Sequence, residues 1–449
     1  MKKTSWNGTA ALVLCAIALS LSGCYVDASL FKKPVALEAG AGAPERTPKY
    51  EHAGWTIARA SLHNHTIYSD GKRTPEDLLE LARRQGMAIL AITDHREGEI
   101  KMDGVLRAQA GGVEKVGYEA YYQRLGQVQA AARGEDMIVI KGVEVSPPYL
   151  YNAGKFPALV IAGQYNHFTV YDVPDPAVLA AMPVSHEINF RPEPSPGDTP
   201  YQQFVDYIAD HGGIVHAVHA ESAQDEWIGT THVLTPAPVK NLHLKHLTGF
   251  SITPEGWHQK AGGPGGLWDT DLIEYLAGMR ERPVWANGDA DYHGPHGSLA
   301  TSTTLFYMRE FSEDEIYRCM RQGRMVALQG DAFQDTYVAE WWVSGGGRPG
   351  NPVMLGEEIE VKAAPVVRFA LDHPVAGTRT RLVRNGVVIH EEQGSELSYT
   401  DIEQGEKKAP AYYRVEVIGP RNESEKSYES ATEPDSVLFV NPIFVRFRD

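Results

Sequence analysis

Histidines and carboxylates recur in this chain where apolar runs end. His63-Asn64-His65 follows the run beginning at Ile57. Side chains at i and i+2 of a strand share a face, so both imidazoles can reach one ion. Ser69-Asp70-Gly71 comes next, a polar turn carrying a carboxylate. Thr93-Asp94-His95, Gly142-Val143-Glu144, His219 and Asp291-Tyr292-His293 close or follow later apolar runs. Imidazole with carboxylate suits zinc, manganese or iron better than magnesium alone. Two or three such divalent ions would lower the pKa of a bridging water and supply hydroxide as nucleophile. They would also offset negative charge that develops on a bond under hydrolysis and on its leaving oxygen. The chain has no convincing Ser-His-Asp elbow or P-loop, and the mechanism needs neither.

These residues must be brought together by the elements that precede them. Ile57 to Leu62 reads as a strand. Thr74-Pro75-Glu76-Asp77 opens a helix, with Thr74 as N-cap, Pro75 at the first helical position and Gly86 beyond its end. Met87 to Ile92 and Met137 to Val145 read as strands. Tyr201 to His211 reads as a helix leading through Gly212-Gly213 to the strand Ile214 to Val218. Asp271 to Arg280 reads as a helix before the strand Pro283 to Ala286. Strands alternating with helices predict a parallel sheet, open or closed into a barrel, whose strand ends share one rim.

His63-x-His65, Tyr68-Ser69-Asp70-Gly71, Ile92-Thr93-Asp94-His95, Gly142-Val143-Glu144, Gly212-Gly213 with His219, and Asp291-x-His293 resemble the motifs of the PHP (polymerase and histidinol phosphatase) family. The resemblance covers roughly residues 55–330. It implies a distorted (β/α)7 barrel with a trinuclear metal centre that hydrolyses phosphate esters. By the same resemblance His63 and His65 would hold one ion, which Asp291 completes, and Glu144 would bridge to a second. Asp70, His95 and His293 would hold a third. His219 and one further histidine would complete the second ion; His167, in Asn166-His167-Phe168-Thr169-Val170, fits that place, with His186 as the alternative.

Other residues near these motifs have two readings each. Arg96 is a phosphate clamp by its planar fork, or one half of a surface ion pair. Asp94 and Asp289 orient ligands, or cap turns. His216, three residues before His219, lies on the opposite strand face and reads as a packed residue or one that supports the ligands. His296 reads as a mouth-lining acid or a loop residue. His232, His243, His246 and His258 fall in a Gly- and Pro-containing insertion and read as exposed loop residues. Trp341-Trp342 is a sugar platform or sandwich core. The stretches from Pro147 to Gly163 and from Thr230 to Gly266 read as loops that shape the pocket.

The chain has 449 residues, 42 Lys+Arg against 58 Asp+Glu and a formal net charge of −16. That length predicts two or three domains, and that charge argues against a general coat for duplex nucleic acid. With three cysteines a disulfide framework is excluded. Lys2 and Lys3, an apolar stretch from Ala10 to Leu21, and Leu21-Ser22-Gly23-Cys24 resemble a bacterial lipoprotein signal. Cleavage would leave Cys24 lipidated, with residues 1–23 removed and 24–54 as a tether. Beyond Gly330 the helical periodicity stops. Val366 to Leu371, Thr380 to Val383, Tyr412 to Ile418 and Val437 to Val440 read as strands, with a hairpin at Asn385-Gly386. Residues 331–449 are therefore expected to form a β-sandwich of Ig or fibronectin type behind the barrel of 55–330.

The expected protein is a lipid-anchored hydrolase of the bacterial envelope, on the periplasmic face or outer membrane. Its substrate would be a small phosphate ester or a nucleotide-like molecule. A metal-dependent hydrolase of amides or other non-phosphate bonds and a non-catalytic surface-binding lipoprotein are the alternatives.

Overall fold

A computed structural model describes residues 35, 46–102, 106–109, 111–133, 136–155, 159–184, 187–188, 197–228, 231–254, 261–295, 297–420 and 436–448. The signal segment with Cys24, and His186, His258 and His296, lie outside them. A mixed α/β architecture surrounds one large sheet.

Its first strands are β1 (Trp55–Ser61), β2 (Ile89–Ile92), β3 (Ile138–Val145), β4 (His167–Tyr171), β5 (Ile214–Val218), β6 (Gly249–Thr253), β7 (Trp285–Gly288), β8 (Ser302–Met308) and β9 (Met325–Gln329). The spatial order is β7-β6-β5-β4-β3-β2-β1-β8-β9. Ile89-Leu90-Ala91-Ile92 is buried throughout, as an apolar run covered on both faces requires. The cover comes from helices α1 (Pro75–Arg84), α2 (Tyr118–Arg133), α3 (Thr199–Asp210), α4 (Leu267–Leu276) and α5 (Glu313–Gln322). In α1 the Thr74 hydroxyl accepts from Asp77 N–H, Pro75 occupies the first turn, and Leu78, Leu79, Leu81 and Ala82 face inward.

The expectation of a parallel sheet needs correction. The ladders β1/β2, β2/β3, β5/β6 and β6/β7 are parallel. However, β4 runs antiparallel to both β3 and β5, and β8 antiparallel to β1 and β9. Among the described residues no backbone ladder closes β7 onto β8. Side chains join them instead. Gly288 N–H donates to Thr304 Oγ1 at 3.0 Å, and that hydroxyl donates to Gly288 O at 2.7 Å.

The C-terminal strands are β10 (Val338–Ser344), β11 (Val366–Leu371), β12 (Arg379–Arg384), β13 (Val387–Gln393), β14 (Glu396–Thr400), β15 (Ala411–Ile418) and β16 (Val437–Phe447). They are not a detached module. The large sheet continues from β9 through β16, β15 and β12 to β13, while β10, β11 and β14 form a second sheet. Both sheets contribute to one apolar core, which also takes in Trp55, Ile57 and Leu305. Trp341 and Trp342 are buried in it, so the platform reading gives way to packing. Asn385 and Gly386 make the two-residue turn between β12 and β13, both at positive φ.

Two buried contacts tie this unit to the first. The Asn441 amide on β16 accepts from Ala286 N–H at 2.9 Å and donates to Ala286 O and Met325 O at 2.9 and 3.0 Å. It supplies β7 with the pairing that a neighbouring strand would. Arg414, fully buried on β15, meets Asp269 of α4 at 2.7 and 2.9 Å and Glu416 at 2.6 Å.

The stretches expected as pocket loops are partly strand. Gln224–Ile228, Thr231–Thr235, Leu159–Tyr165 and Pro148–Asn152 form a four-stranded sheet rooted at the ends of β3, β4 and β5.

Replacing Arg414 with Ala leaves two buried carboxylates without their cation and should cost about 3–5 kcal/mol. The measurement is the urea midpoint. A loss of well under 1 kcal/mol would show that this pair does not hold the two units together.

Candidate metal centre

The strand directions explain why distant residues meet. β1, β2, β3 and β5 point the same way, so His63, His95, Glu144 and His219 leave from one rim. β4 runs the other way and begins at that rim, so His167 stands at its start opposite the end of β3, where Val145 pairs with Phe168. The loop after β7 returns to the same place. Tyr292 O accepts from His65 N–H, and Tyr292 N–H donates to His63 O.

His63 Nε2 and His65 Nε2 lie 3.1 Å apart, and each is 3.1 Å from Glu144 Oε2. Asp291 Oδ1 is 3.3 and 3.2 Å from the same two nitrogens. Ligands 2.0–2.2 Å from a zinc-sized ion sit roughly 3–3.5 Å from one another, so these edges match a coordination polyhedron. Glu144 Oε2 and Asp291 Oδ1 are buried and receive no hydrogen bond. A buried carboxylate oxygen in that state needs a cation.

Two further groups adjoin it. His65, Asp70, His95 and His293 converge, with Asp70 Oδ1 at 3.2 Å from His293 Nε2 and 3.3 Å from His65 Nδ1. His95, Glu144 and His167 form the other, with His167 Nδ1 at 2.6 Å from Glu144 Oε1. His219 Nε2 stands 3.8 Å from Glu144 Oε1 and 3.6 Å from Asp291 Oδ2. Glu144 therefore turns one oxygen to His63 and His65 and the other to His167.

Local structure pays to aim these side chains. His219 and Asp291 have φ of +52° and +44°. Such backbone costs on the order of 1–3 kcal/mol for a non-glycine residue and concentrates at functional sites. Gly71 is needed beside Asp70, because a Cβ there would lie 2.3 Å from His65 O. Asp94 ties down the turn that carries Asp70. It accepts from Thr66 N–H, Thr66 Oγ1 and Ser69 Oγ, each at 2.7 Å, and from Tyr121 at 3.1 Å. Asp289 lies 3.6 Å from His63 Nδ1, placed to orient that ring.

The Arg96 guanidinium is buried and meets Glu114 at 2.8 Å and Glu97 at 3.9 Å, so its carboxylate partners lie inside the protein and not at the surface. His216 is buried with its ring edge-on to Tyr171. His232, His243 and His246 pair with Asp225, Asp271 and Asp206 instead of reaching the rim. Two neighbours of His95, Glu97 and Ser146, went unread in the sequence. Ser146 Oγ is 3.2 Å from His95 Nδ1 and donates to Glu97 at 2.9 Å. A lone serine two residues past Glu144 carries no pattern by itself.

Charge is shared tightly here. Burial alone would depress the His63 imidazole, but Glu144 and Asp291 outweigh it and raise it to about 9. Burial would raise the carboxyls of Glu144, Asp70 and Asp291, and the surrounding imidazoles hold all three well below the usual carboxylate range. His95 is pushed down to about 3, chiefly by burial.

Residues 61–178 match the PHP domain family. Over 50 residues the chain is 50% identical to error-prone DNA polymerases of Mycobacterium bovis and Mycobacterium tuberculosis. That match covers 11% of this chain and only 5% of the polymerases' length. Among solved structures, a two-domain protein of Bacteroides vulgatus containing a predicted PHP-like metal-dependent phosphoesterase aligns over 84% of this chain and 95% of its own. The identity is 14% and the TM-score 0.40. An amidohydrolase of Chromobacterium violaceum aligns over 60% of this chain and 97% of its own, at 18% identity and a TM-score of 0.30.

Imidazoles must be neutral to ligate, and without metal His63 titrates at about 9. Zinc or manganese added to metal-free protein at neutral pH should therefore release protons. Calorimetry in buffers of differing ionisation enthalpy measures this. A binding heat independent of the buffer would contradict it.

Proposed function

We propose that the protein is a metal-dependent hydrolase, and most specifically a phosphoesterase of the PHP type. Its catalytic unit would be a distorted (β/α)7 barrel, with the C-terminal strands as an attached β-sandwich. One observation carries the reading: single donor atoms of His63, His65, Glu144 and Asp291, from sequence-distant segments, lie within 4.8 Å of one another. The PHP match over residues 61–178 gives that geometry its chemical context.

His63, His65, Asp291 and Glu144 would hold one ion, Glu144, His167 and His219 a second, and Asp70, His95 and His293 a third. Zinc, manganese and iron all suit this donor set. When bound, such ions supply Lewis acidity that acidifies water and offsets the charge of a phosphoryl group. The chain's own residues provide the rest. Glu144 presents its two oxygens to different imidazoles, the arrangement a shared carboxylate needs. Asp94 and Asp289 fix the turn and ring that aim Asp70 and His63. No Ser or Cys nucleophile is assigned.

The substrate class in this reading is a small phosphate ester or a nucleotide-like molecule. The same reading puts the protein at the bacterial envelope, tethered through lipidated Cys24. That part is supported by the pattern of residues 1–24 alone.

His65→Ala and Glu144→Ala should each reduce release of phosphate from generic esters to background while far-UV circular dichroism stays unchanged. The test is a panel of phosphomonoesters, phosphodiesters and amides, run with added zinc or manganese. Full activity in either variant would overturn the mechanism. Cleavage of amides with no phosphate released would move the protein to the non-phosphate alternative.

A further inference from the structure

His95 stands where two donor groups meet. It belongs with His65, Asp70 and His293 on one side and with Glu144 and His167 on the other. A neutral imidazole has a single lone pair, so it can ligate on one side only. The choice depends on which ring nitrogen carries the hydrogen.

Ser146 settles that choice. Its backbone N–H donates to Glu97 Oε1 at 2.9 Å and its hydroxyl to Glu97 Oε2 at 2.9 Å. One carboxylate thus grips one residue at two points, and Glu97, Ser146 and His95 are all buried. The hydroxyl has a single proton, and it is committed to Glu97. Towards His95 Nδ1, 3.2 Å away, Ser146 Oγ is left to accept. The hydrogen therefore resides on Nδ1, directed at Ser146 Oγ; Glu144 Oε2 stands 3.2 Å from the same nitrogen without forming an aligned hydrogen bond. Nε2 keeps the lone pair, and it is this nitrogen that faces Asp70 Oδ2, at 3.7 Å. Backbone pairing holds the arrangement in register. Arg96 N–H donates to Glu144 O at 2.7 Å, and Glu144 N–H to Asp94 O at 3.0 Å.

We propose that Glu97 and Ser146 are positioning residues that hold His95 as its Nδ1–H tautomer. They thereby commit it to the ion of Asp70 and His293 and leave the neighbouring ion to Glu144, His167 and His219. The ion assignment rests on the metal-centre reading above. The tautomer does not, and it is measurable without metal.

The first measurement is long-range proton–nitrogen correlation on the ¹⁵N-histidine-labelled, metal-free full chain, with His95 assigned from the signal lost in His95→Gln. The expected pattern is a protonated Nδ1 and a bare Nε2. Glu97→Gln offers an amide N–H to Ser146, frees the serine proton for His95 and should shift the ring towards the other tautomer, whereas Ser146→Thr should keep the wild-type pattern. A bare Nδ1 in the wild type would overturn the proposal. The second measurement is equilibrium binding of manganese. Ser146→Ala should weaken one class of site by roughly 10–100-fold, the usual effect of removing a group that orients a ligand. In a His293→Ala background it should cause no further loss, and in a His167→Ala background a further site should go. The reverse dependence would overturn the assignment. If no variant, nor the wild type, binds manganese or zinc, the metal-centre reading fails, and the ion assignment falls with it while the tautomer is decided by the first measurement.

Discussion

Everything in this structure answers to one electrostatic constraint: three carboxylates, those of Asp70, Glu144 and Asp291, are held together in a nearly dry rim among imidazoles. Taking such charges out of water is expensive unless cations meet them. Protons on His63 and His65 serve that need in the metal-free protein, and divalent ions would serve it better. The constraint explains why so many other groups are spent on orientation. Asp94 gathers the turn at Thr66 and Ser69, Asp289 faces His63, and Glu97 grips Ser146. A polar cluster this buried is stable only if each member is aimed.

The fold meets the constraint through strand direction. Parallel strands bring His63, His95, Glu144 and His219 to one edge, and the reversed β4 adds His167 at its start. The last wall of the sheet is completed from elsewhere. Among the described residues β7, which leads to Asp291 and His293, pairs by backbone with β6 alone. On its other side it meets Thr304 and the C-terminal Asn441. The C-terminal strands are thus part of the frame that carries the loop of Asp291. The shared core of Trp55, Leu305, Trp341 and Phe369 makes the same point.

Much of this was legible in the residues, for physical reasons. Ligand-type side chains at strand ends have a spacing that can be read, as His63-x-His65 and Asp291-x-His293 do. The strand Ile214–Val218 and the turn Asn385-Gly386 follow from apolar runs and turn chemistry that are local. Strand polarity was not legible, because the period of two in His167–Tyr171 is the same in either direction. The four-stranded sheet over Pro148–Asn152 and Gln224–Ile228 was missed because its partners are far apart in the chain. Arg96 next to His95 could be weighed only as two equal roles, because its partner Glu114 is met only in space. Ser146 and Asn441 act by hydrogen bonds to residues distant in the chain, which leave no pattern in sequence.

The most direct measurement is anomalous diffraction from crystals of the protein grown with manganese or zinc. The account predicts a peak within about 2.0–2.2 Å of His63 Nε2, His65 Nε2, Glu144 Oε2 and Asp291 Oδ1, with further peaks beside Asp70 and His167. A well-ordered structure with no peak among these residues, or with peaks only elsewhere on the molecule, would contradict it.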